Sequence, residues 1–133
     1  MTGEAKKILV AEDNLALSSV LRFNLERAGF NVTVAQNGRE AWDFSQIDQF
    51  DLVLTDHQMP ELTGVELCQR LREDERYART PVIMLTAKGL ELDLARLRDE
   101  LGVAAVLPKP FSPIEMISTI EDCLASFADQ TQP

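Results

Sequence analysis

Four apolar stretches of the sequence end in side chains that can bind cations or react with phosphoryl groups. They are an acidic pair, a single carboxylate, a hydroxyl and an amine: Glu12 and Asp13, Asp56, Thr86, and Lys109. The most informative stretch is 51–60, Asp-Leu-Val-Leu-Thr-Asp-His-Gln-Met-Pro. Its apolar run, bounded by turn signals, predicts a strand buried on both faces. Ligands of open α/β sheets bind at the carboxyl ends of strands, so Asp56 is the first candidate functional residue.

Strand and helix signals alternate five times along the chain. The predicted strands are 7–11, 31–35, the run inside 51–60, 81–87 and 104–107. The predicted helices lie between Asn14 and Gly29, from Asn37-Gly38 to about Ile47, from about Gly64 to Arg72, across 94–101 up to Gly102, and after the capping box 112–115. The expected inward residues are Leu17, Val20, Leu21, Leu25 and Ala28 in the first helix, Leu94, Leu97 and Leu101 in the fourth, and Ile117, Ile120, Leu124 and Phe127 in the last.

Regular alternation of this kind predicts an α/β fold with a parallel sheet, right-handed crossovers and helices on both faces. The second strand alternates polar and apolar residues, which is typical of a sheet edge. That pattern fits a flavodoxin-like fold with five strands in the order 2-1-3-4-5. With 133 residues, we expect one domain over 6–127, and flexible termini at 1–5 and 128–133.

Composition excludes several classes of function. The formal net charge is −9 and the sequence has no Lys/Arg cluster, so we expect neither nucleic acid nor an anionic membrane surface as a partner. No apolar stretch is long enough to span a bilayer and no signal peptide is recognisable, which predicts a cytoplasmic protein. Cys68 and Cys123 fall on helices expected on opposite faces of the sheet, which rules out a disulfide between them.

The predicted sheet brings the polar side chains to one edge. Strands one and three are neighbours, so Glu12, Asp13 and Asp56 converge there. At an effective dielectric of about 20, two carboxylates roughly 5 Å apart repel by about 3 kcal/mol, so the cluster must raise a pKa or bind a cation. Oxygen ligands without His or Cys select a hard ion such as Mg²⁺, or Mn²⁺. Taken alone, Glu12 and Asp13 could equally be a helix cap. The prediction of a cation site therefore rests on their combination with the polar residues that end the other strands.

Asp56, lying between this cation and Lys109, is suited to accept a phosphoryl group as a carboxylate nucleophile. The transferring group carries charge on three oxygens. The cation can take one and the Lys109 ammonium another, while the third can accept hydrogen bonds from the Thr86 hydroxyl and a backbone N–H, such as that of Ala87. The sequence therefore predicts an aspartyl-phosphate site.

At these residues the chain resembles the receiver domains of two-component response regulators. The matching segments are 8–14 (Ile-Leu-Val-Ala-Glu-Asp-Asn), 51–60, 85–88 (Leu-Thr-Ala-Lys) and 107–111 (Leu-Pro-Lys-Pro-Phe), and together they extend across almost the whole chain. The resemblance implies that Asp56 is the phospho-acceptor and that Glu12 and Asp13 hold magnesium, Asp13 more directly. It also implies that the main-chain carbonyl of Gln58 completes the protein ligands, and that the Lys109-Pro110 bond is cis.

Val106 departs from this family pattern. Receivers usually carry Tyr or Phe three residues before the lysine, and that ring moves inward during the switch. A small β-branched side chain cannot bury a ring, so we expect an altered or weaker response on the surface formed by the fourth helix, fifth strand and fifth helix. Other residues suggest smaller roles: His57 as a rim residue, Gln58 and Lys88 in setting phosphoryl lifetime, and Leu90 and Leu92 in a partner surface or the core.

The resemblance implies a phosphorylation-dependent signalling switch without an output domain of its own, rather than an enzyme. It would receive its phosphoryl group from a sensor histidine kinase or phosphotransfer protein, lose it by hydrolysis, and act on a downstream protein through the surface around Val106. A haloacid-dehalogenase-type phosphatase would need a second Asp where this chain has Gln58. A phosphorylation-independent interaction module with a vestigial acidic site, and a receiver cut from a longer regulator, remain alternatives.

Overall fold

The computed structural model of the protein describes residues 5–87 and 94–131. Within these ranges, strands and helices alternate as the sequence predicts. In chain order they are β1 (Lys7–Ala11), α1 (Leu15–Arg27), β2 (Asn31–Ala35), α2 (Gly38–Ile47), β3 (Leu52–Asp56), α3 (Gly64–Glu73), a short 3-10 helix (Glu75–Tyr77), β4 (Val82–Thr86), α4 (Leu94–Leu101), β5 (Ala105–Pro108) and α5 (Pro113–Thr131).

The five strands form one parallel sheet in the order β2-β1-β3-β4-β5, which confirms the predicted fold. Every residue of the central strands β3 and β4 is buried, because helices cover both faces of the sheet there. The edge strand β2 is only partly buried. The sequences of β3 and β4 are therefore continuous apolar runs, whereas that of β2 alternates polar and apolar residues.

The core has two layers, one on each side of the sheet. The first packs α2, α3 and α4 against the sheet, through residues that include Ala41, Leu67 and Leu97. The second packs α1 and α5 against the other face, through residues that include Leu25 and Ile120. Cys68 belongs to the first layer and Cys123 packs against the second, and both thiols are free, as expected.

Polar side chains cap α1, α2, α3 and α5, and those of α1, α2 and α5 are at the positions that the sequence predicts. Asn14 accepts a hydrogen bond from the Leu17 N–H at the start of α1, and Asn37 accepts one from the Glu40 N–H at the start of α2. A reciprocal capping box between Thr63 and Glu66 starts α3. At α5, the Ser112 hydroxyl accepts a bond from the Glu115 N–H, which satisfies one of the first free amides.

Some residues predicted to face the core are exposed or only half-buried. Val20 is 50 % exposed, because the inward stripe of α1 follows Leu17, Leu21 and Leu25 and position 20 lies beyond its edge. Ala28 is exposed at the end of the same helix. In α5, Ile120 is buried as predicted, Met116 is buried as well, and Ile117, Leu124 and Phe127 are half-buried. The helix continues to Thr131, beyond the expected boundary near Phe127.

The structure also has a buried anchor that the sequence patterns do not indicate. Tyr77, the last residue of the 3-10 helix, is fully buried, and its hydroxyl donates to the carbonyls of Ser45 and Asp48 at the end of α2. Three predictions, on Lys88, Leu90 and Leu92, lie outside the described residues. Among the helices that are described, none combines the length and the apolar character needed to cross a membrane.

Candidate functional site

The carboxyl ends of β1, β3 and β5 bring together a lysine and two buried carboxylates. The Lys109 ammonium donates to Oδ2 of Asp56 at 3.1 Å and to Oε1 of Glu12 at 3.3 Å. Asp56 is 6 % exposed and Glu12 fully buried, while 29 % of the Lys109 side chain is exposed. One ammonium therefore compensates the charge of two buried carboxylates, which would otherwise repel each other at low dielectric.

Burial and charge oppose each other at these residues. Burial raises the pKa of Glu12, and the nearby Asp56 charge raises it further, whereas the Asn14 N–H and Lys109 lower it by less. For Lys109, burial lowers the pKa, but the hydrogen bond and charge of Asp56, followed by Glu12, raise it above its ordinary value. Lys109 is therefore held protonated between the two acids.

The acidic group has the donor set of a hard-cation site. Glu12, Asp13 and Asp56 can each offer one carboxylate oxygen, and these oxygens lie within 4.8 Å of one another. Asp13 is exposed, whereas both oxygens of Glu12 already accept hydrogen bonds, from Lys109 and from the Asn14 N–H at 3.1 Å. All the donors are oxygen atoms, which Mg²⁺ and Mn²⁺ prefer, so the residues fit such an ion.

Thr86 reaches the same edge of the sheet from β4. It is 4 % exposed, and in the strand register Leu85, the residue before it, pairs with Asp56. Its carbonyl accepts a 2.8 Å hydrogen bond from the Lys109 N–H, which ties the ends of β4 and β5 together. The next residue, Ala87, is exposed.

The loop between β3 and α3 leaves the sheet beside Asp56. His57 is half-buried, and within the described chain its buried Nδ1 has no hydrogen-bond partner. Gln58 is exposed, while Met59 and Leu62 fold back and are each only 9 % exposed. The Lys109-Pro110 bond that follows β5 is cis, as expected from the resemblance.

Gly64 is a residue of the site that the sequence patterns did not single out. A Cβ at this position would lie 2.5 Å from the Asp56 carbonyl oxygen and 2.9 Å from the His57 Cα. Its N–H donates to the His57 carbonyl at 2.8 Å. Helix α3 therefore begins directly against the backbone of Asp56, and a glycine at the first position of a helix (beside a Thr-x-x-Glu box) was the available signal.

Comparison with known proteins agrees with this geometry. The family description "Response regulator receiver domain" matches residues 8–121. The chain belongs to the response regulator receiver domain family. It is 44 % identical over 118 residues to the transcriptional regulatory protein CpxR of Escherichia coli, covering 89 % of this chain and 49 % of CpxR. It is 39 % identical over 119 residues to the alkaline phosphatase synthesis transcriptional regulatory protein PhoP of Bacillus subtilis, covering 90 % and 48 %.

The solved receiver structures are similar over almost their whole length. The chemotaxis response regulator CheY4 of Vibrio cholerae has a TM-score of 0.82 and 28 % identity, covering 90 % of this chain and 98 % of that one. The receiver domain of a sensor histidine kinase from Pseudomonas aeruginosa, with a magnesium ion coordinated in its active-site cleft, has a TM-score of 0.82 and 28 % identity, covering 91 % and 98 %. This receiver domain spans about half the length of the curated relatives it matches.

Proposed function

We propose that this receiver domain is a phosphorylation-dependent switch that accepts a phosphoryl group on Asp56 from a histidine kinase or phosphotransfer protein of a two-component phosphorelay. The position of Asp56 carries the proposal. Its carboxylate lies at the end of the central strand β3, 6 % exposed, with the Lys109 ammonium 3.1 Å away and two further carboxylates beside it. Membership of the receiver family supports the same role.

In the proposed transfer, an Asp56 oxygen attacks phosphorus, and the bond between phosphorus and the donor's histidine nitrogen breaks. Charge on the phosphoryl oxygens is then stabilised by groups already positioned at the site. Lys109 Nζ neutralises one oxygen, and the Thr86 hydroxyl donates to another. The Ala87 N–H is a second candidate donor to the phosphoryl oxygen that the Thr86 hydroxyl contacts.

We assign the metal to Asp13, Asp56 and the Gln58 carbonyl, with Glu12 assisting. The exposure of Asp13, together with the hydrogen bonds already made by both Glu12 oxygens, favours Asp13 as the more direct ligand. When bound, Mg²⁺ or Mn²⁺ would neutralise phosphoryl charge next to the nucleophile. Lys109, which contacts Glu12 and Asp56 in this structure, would turn from Glu12 towards the incoming phosphoryl oxygen.

The phosphoryl group is then lost by hydrolysis, which resets the switch. Gln58 and Lys88 are the candidates for controlling the approach of water, and hence the lifetime of the phosphorylated form. The chemistry serves signalling, so the domain assists its own phosphorylation and dephosphorylation without turning over a metabolite. We place it in the cytoplasm, acting on a downstream protein through the surface formed by α4, β5 and α5.

The experiment is an intact-mass measurement after incubation with acetyl phosphate, with and without Mg²⁺. We expect the parent to gain one phosphoryl group only when Mg²⁺ is present, and Asp56→Asn to gain none. Asp51→Asn is a matched control, because Asp51 lies at the other end of the same strand and its carboxylate accepts from the Lys7 N–H, which an amide oxygen can also do. If the folded parent gains nothing, a phosphorylation-independent interaction module becomes the better assignment.

A further inference from the structure

Gly38, the first residue of α2, lies where a side chain would collide with the loop between β3 and α3. A Cβ at this position would lie 2.5 Å from the Leu62 Cβ, and closer still to the Leu62 carbonyl oxygen. Ordinary contacts between such atoms are about 3.5–4.0 Å. Gly38 has no positive φ, so the backbone conformation does not demand glycine there and the close approach of the loop does.

The same loop is held at two further points. At its end, Gly64 packs against the Asp56 carbonyl oxygen and its N–H binds the His57 carbonyl. Near its start, the Thr55 hydroxyl lies 3.9 Å from the Met59 sulfur. Leu62, between these points, is only 9 % exposed and packs against the start of α2. The path of 57–63 is thus fixed on both sides by close packing.

We propose that Gly38 is a positioning residue for metal binding: its missing side chain seats Leu62, and the seated loop places the Gln58 carbonyl beside Asp13 and Asp56. This inference rests on the proposed function, which makes that carbonyl a metal ligand. The three atoms nearest to an added Cβ at position 38 all belong to Leu62, which is not one of the proposed metal ligands. A methyl group there must push Leu62 outward, because its nearest neighbour is backbone, which cannot rotate away as a flexible side chain can.

The test is the affinity of Gly38→Ala for Mg²⁺, measured by calorimetry, with Mn²⁺ binding by water-proton relaxation as a second readout. Changing groups that orient metal ligands typically weakens affinity about 10- to 100-fold, and we expect a loss at the lower end of that range. Phosphorylation by acetyl phosphate should then need more Mg²⁺ for half-maximal rate, while the rate at saturating Mg²⁺ stays close to that of the parent. A merely destabilised protein would not show this separation.

Gly29→Ala is the matched control, because Gly29 has φ +100° and nothing within 4 Å of an added Cβ. It should lower stability at the end of α1 and leave Mg²⁺ affinity unchanged. If Gly38→Ala does not fold, as judged by the fluorescence of Trp42, Leu62→Ala replaces it, since that variant loosens the loop from the opposite side and should also weaken Mg²⁺ binding. If folded Gly38→Ala binds Mg²⁺ as tightly as the parent, or if Gly29→Ala loses as much Mg²⁺ affinity, the inference about Gly38 is wrong and the proposed function is unaffected. Failure of the parent to bind Mg²⁺ overturns the proposed function with it.

Discussion

Nζ of Lys109 lies 3.1 Å from Oδ2 of Asp56, although the two residues are 53 positions apart in the sequence. The contact exists because β3 and β5 are parallel strands of one sheet and both end at the same edge. It joins the proposed nucleophile to the cation that would receive negative charge during phosphoryl transfer. Because the two side chains meet at one edge of the sheet, we expect a change to this contact to alter stability, metal binding and phosphorylation, each of which can be measured.

Lys109→Met removes the cation between Glu12 and Asp56. Without Mg²⁺, we expect the free energy of unfolding to fall by about 1–3 kcal/mol, because two buried carboxylates lose a charged partner. Mg²⁺ should restore more stability to this variant than to the parent and bind it more tightly, yet phosphorylation should be much slower. Urea denaturation with and without Mg²⁺ measures the first effect.

Lys7→Met is the control for that prediction. Lys7 pairs with Asp48 and lies 5.7 Å from the Phe50 ring centre, away from the acidic group. Its loss should change stability by the same amount at every Mg²⁺ concentration. An equal response of the Lys7 and Lys109 variants to Mg²⁺ would contradict the assignment of Lys109 to the site.

Thr86→Ala tests the hydroxyl at the end of β4. Loss of one hydrogen bond worth about 1 kcal/mol should slow phosphorylation by acetyl phosphate about 5-fold. Thr86→Ser keeps the hydroxyl and should retain most of the rate, although it loses the same methyl group from a residue that is 4 % exposed. Equal rates for the serine and alanine variants would show that the hydroxyl does not act.

Arg72→Met tests a cation that holds the end of α4. The Arg72 guanidinium donates to four carbonyl groups, those of Leu101, Gly102, Tyr77 and Thr80. Burial lowers the pKa of this guanidinium, which shows that burying its charge is unfavourable. Its bonds to Leu101 and Gly102 offset this, because they satisfy carbonyl groups at the end of α4. We expect Arg72→Met to lower the free energy of unfolding, measured by urea denaturation, by about 3 kcal/mol. Arg70→Met, which removes a guanidinium that lies 5.8 Å from the Trp42 ring centre, should cost much less.

Asp74 gives a prediction for acid conditions. Hydrogen bonds from the Arg76 side chain, from Gln46 and from the Arg76 N–H lower the pKa of Asp74 from 3.8 to about 2. Because the pKa in the folded state is the lower one, its contribution to stability is complete above 3.8 and is lost as the pH falls towards 2. The stability difference between the parent and Asp74→Asn should therefore shrink over that interval in pH-dependent urea denaturation. A difference that stays constant would contradict the shift.

Val106 lies half-buried against the core beside α4. Because it offers no ring to bury, we expect a phosphoryl mimic to cause small amide shifts on the surface formed by α4, β5 and α5, and larger shifts near Thr86. Val106→Phe restores a ring and should enlarge the response on that surface. Shifts of the same size in the parent and in this variant would refute the prediction.

Much of the fold could be predicted because buried parallel strands have sequences of consecutive apolar residues. The stretch ending at Asp56 identified β3, and its neighbours followed from the parallel order. The site was predictable for the same reason, since parallel strands deliver their carboxyl ends to one edge. The cis bond before Pro110 came from the family resemblance instead.

The rest depends on contacts between segments distant in the sequence. Tyr77 stands among charged residues, and its burial follows from packing in the core and from its hydroxyl bonds to the carbonyls at the end of α2. Val20 is exposed because of where α1 meets its neighbours, which the helical period alone does not fix. The glycine at position 38 is explained by Leu62, a residue of another loop.

The most direct test of the central claim is to locate the phosphoryl group. After phosphorylation with acetyl phosphate and Mg²⁺, borohydride reduction of the acyl phosphate converts the modified aspartate to an alcohol that peptide mass spectrometry can place. We predict one modified position, Asp56, and none in Asp56→Asn. Modification at Glu12 or Asp13 in the parent, or no modification of the folded protein, would contradict the assignment of Asp56 as the phospho-acceptor.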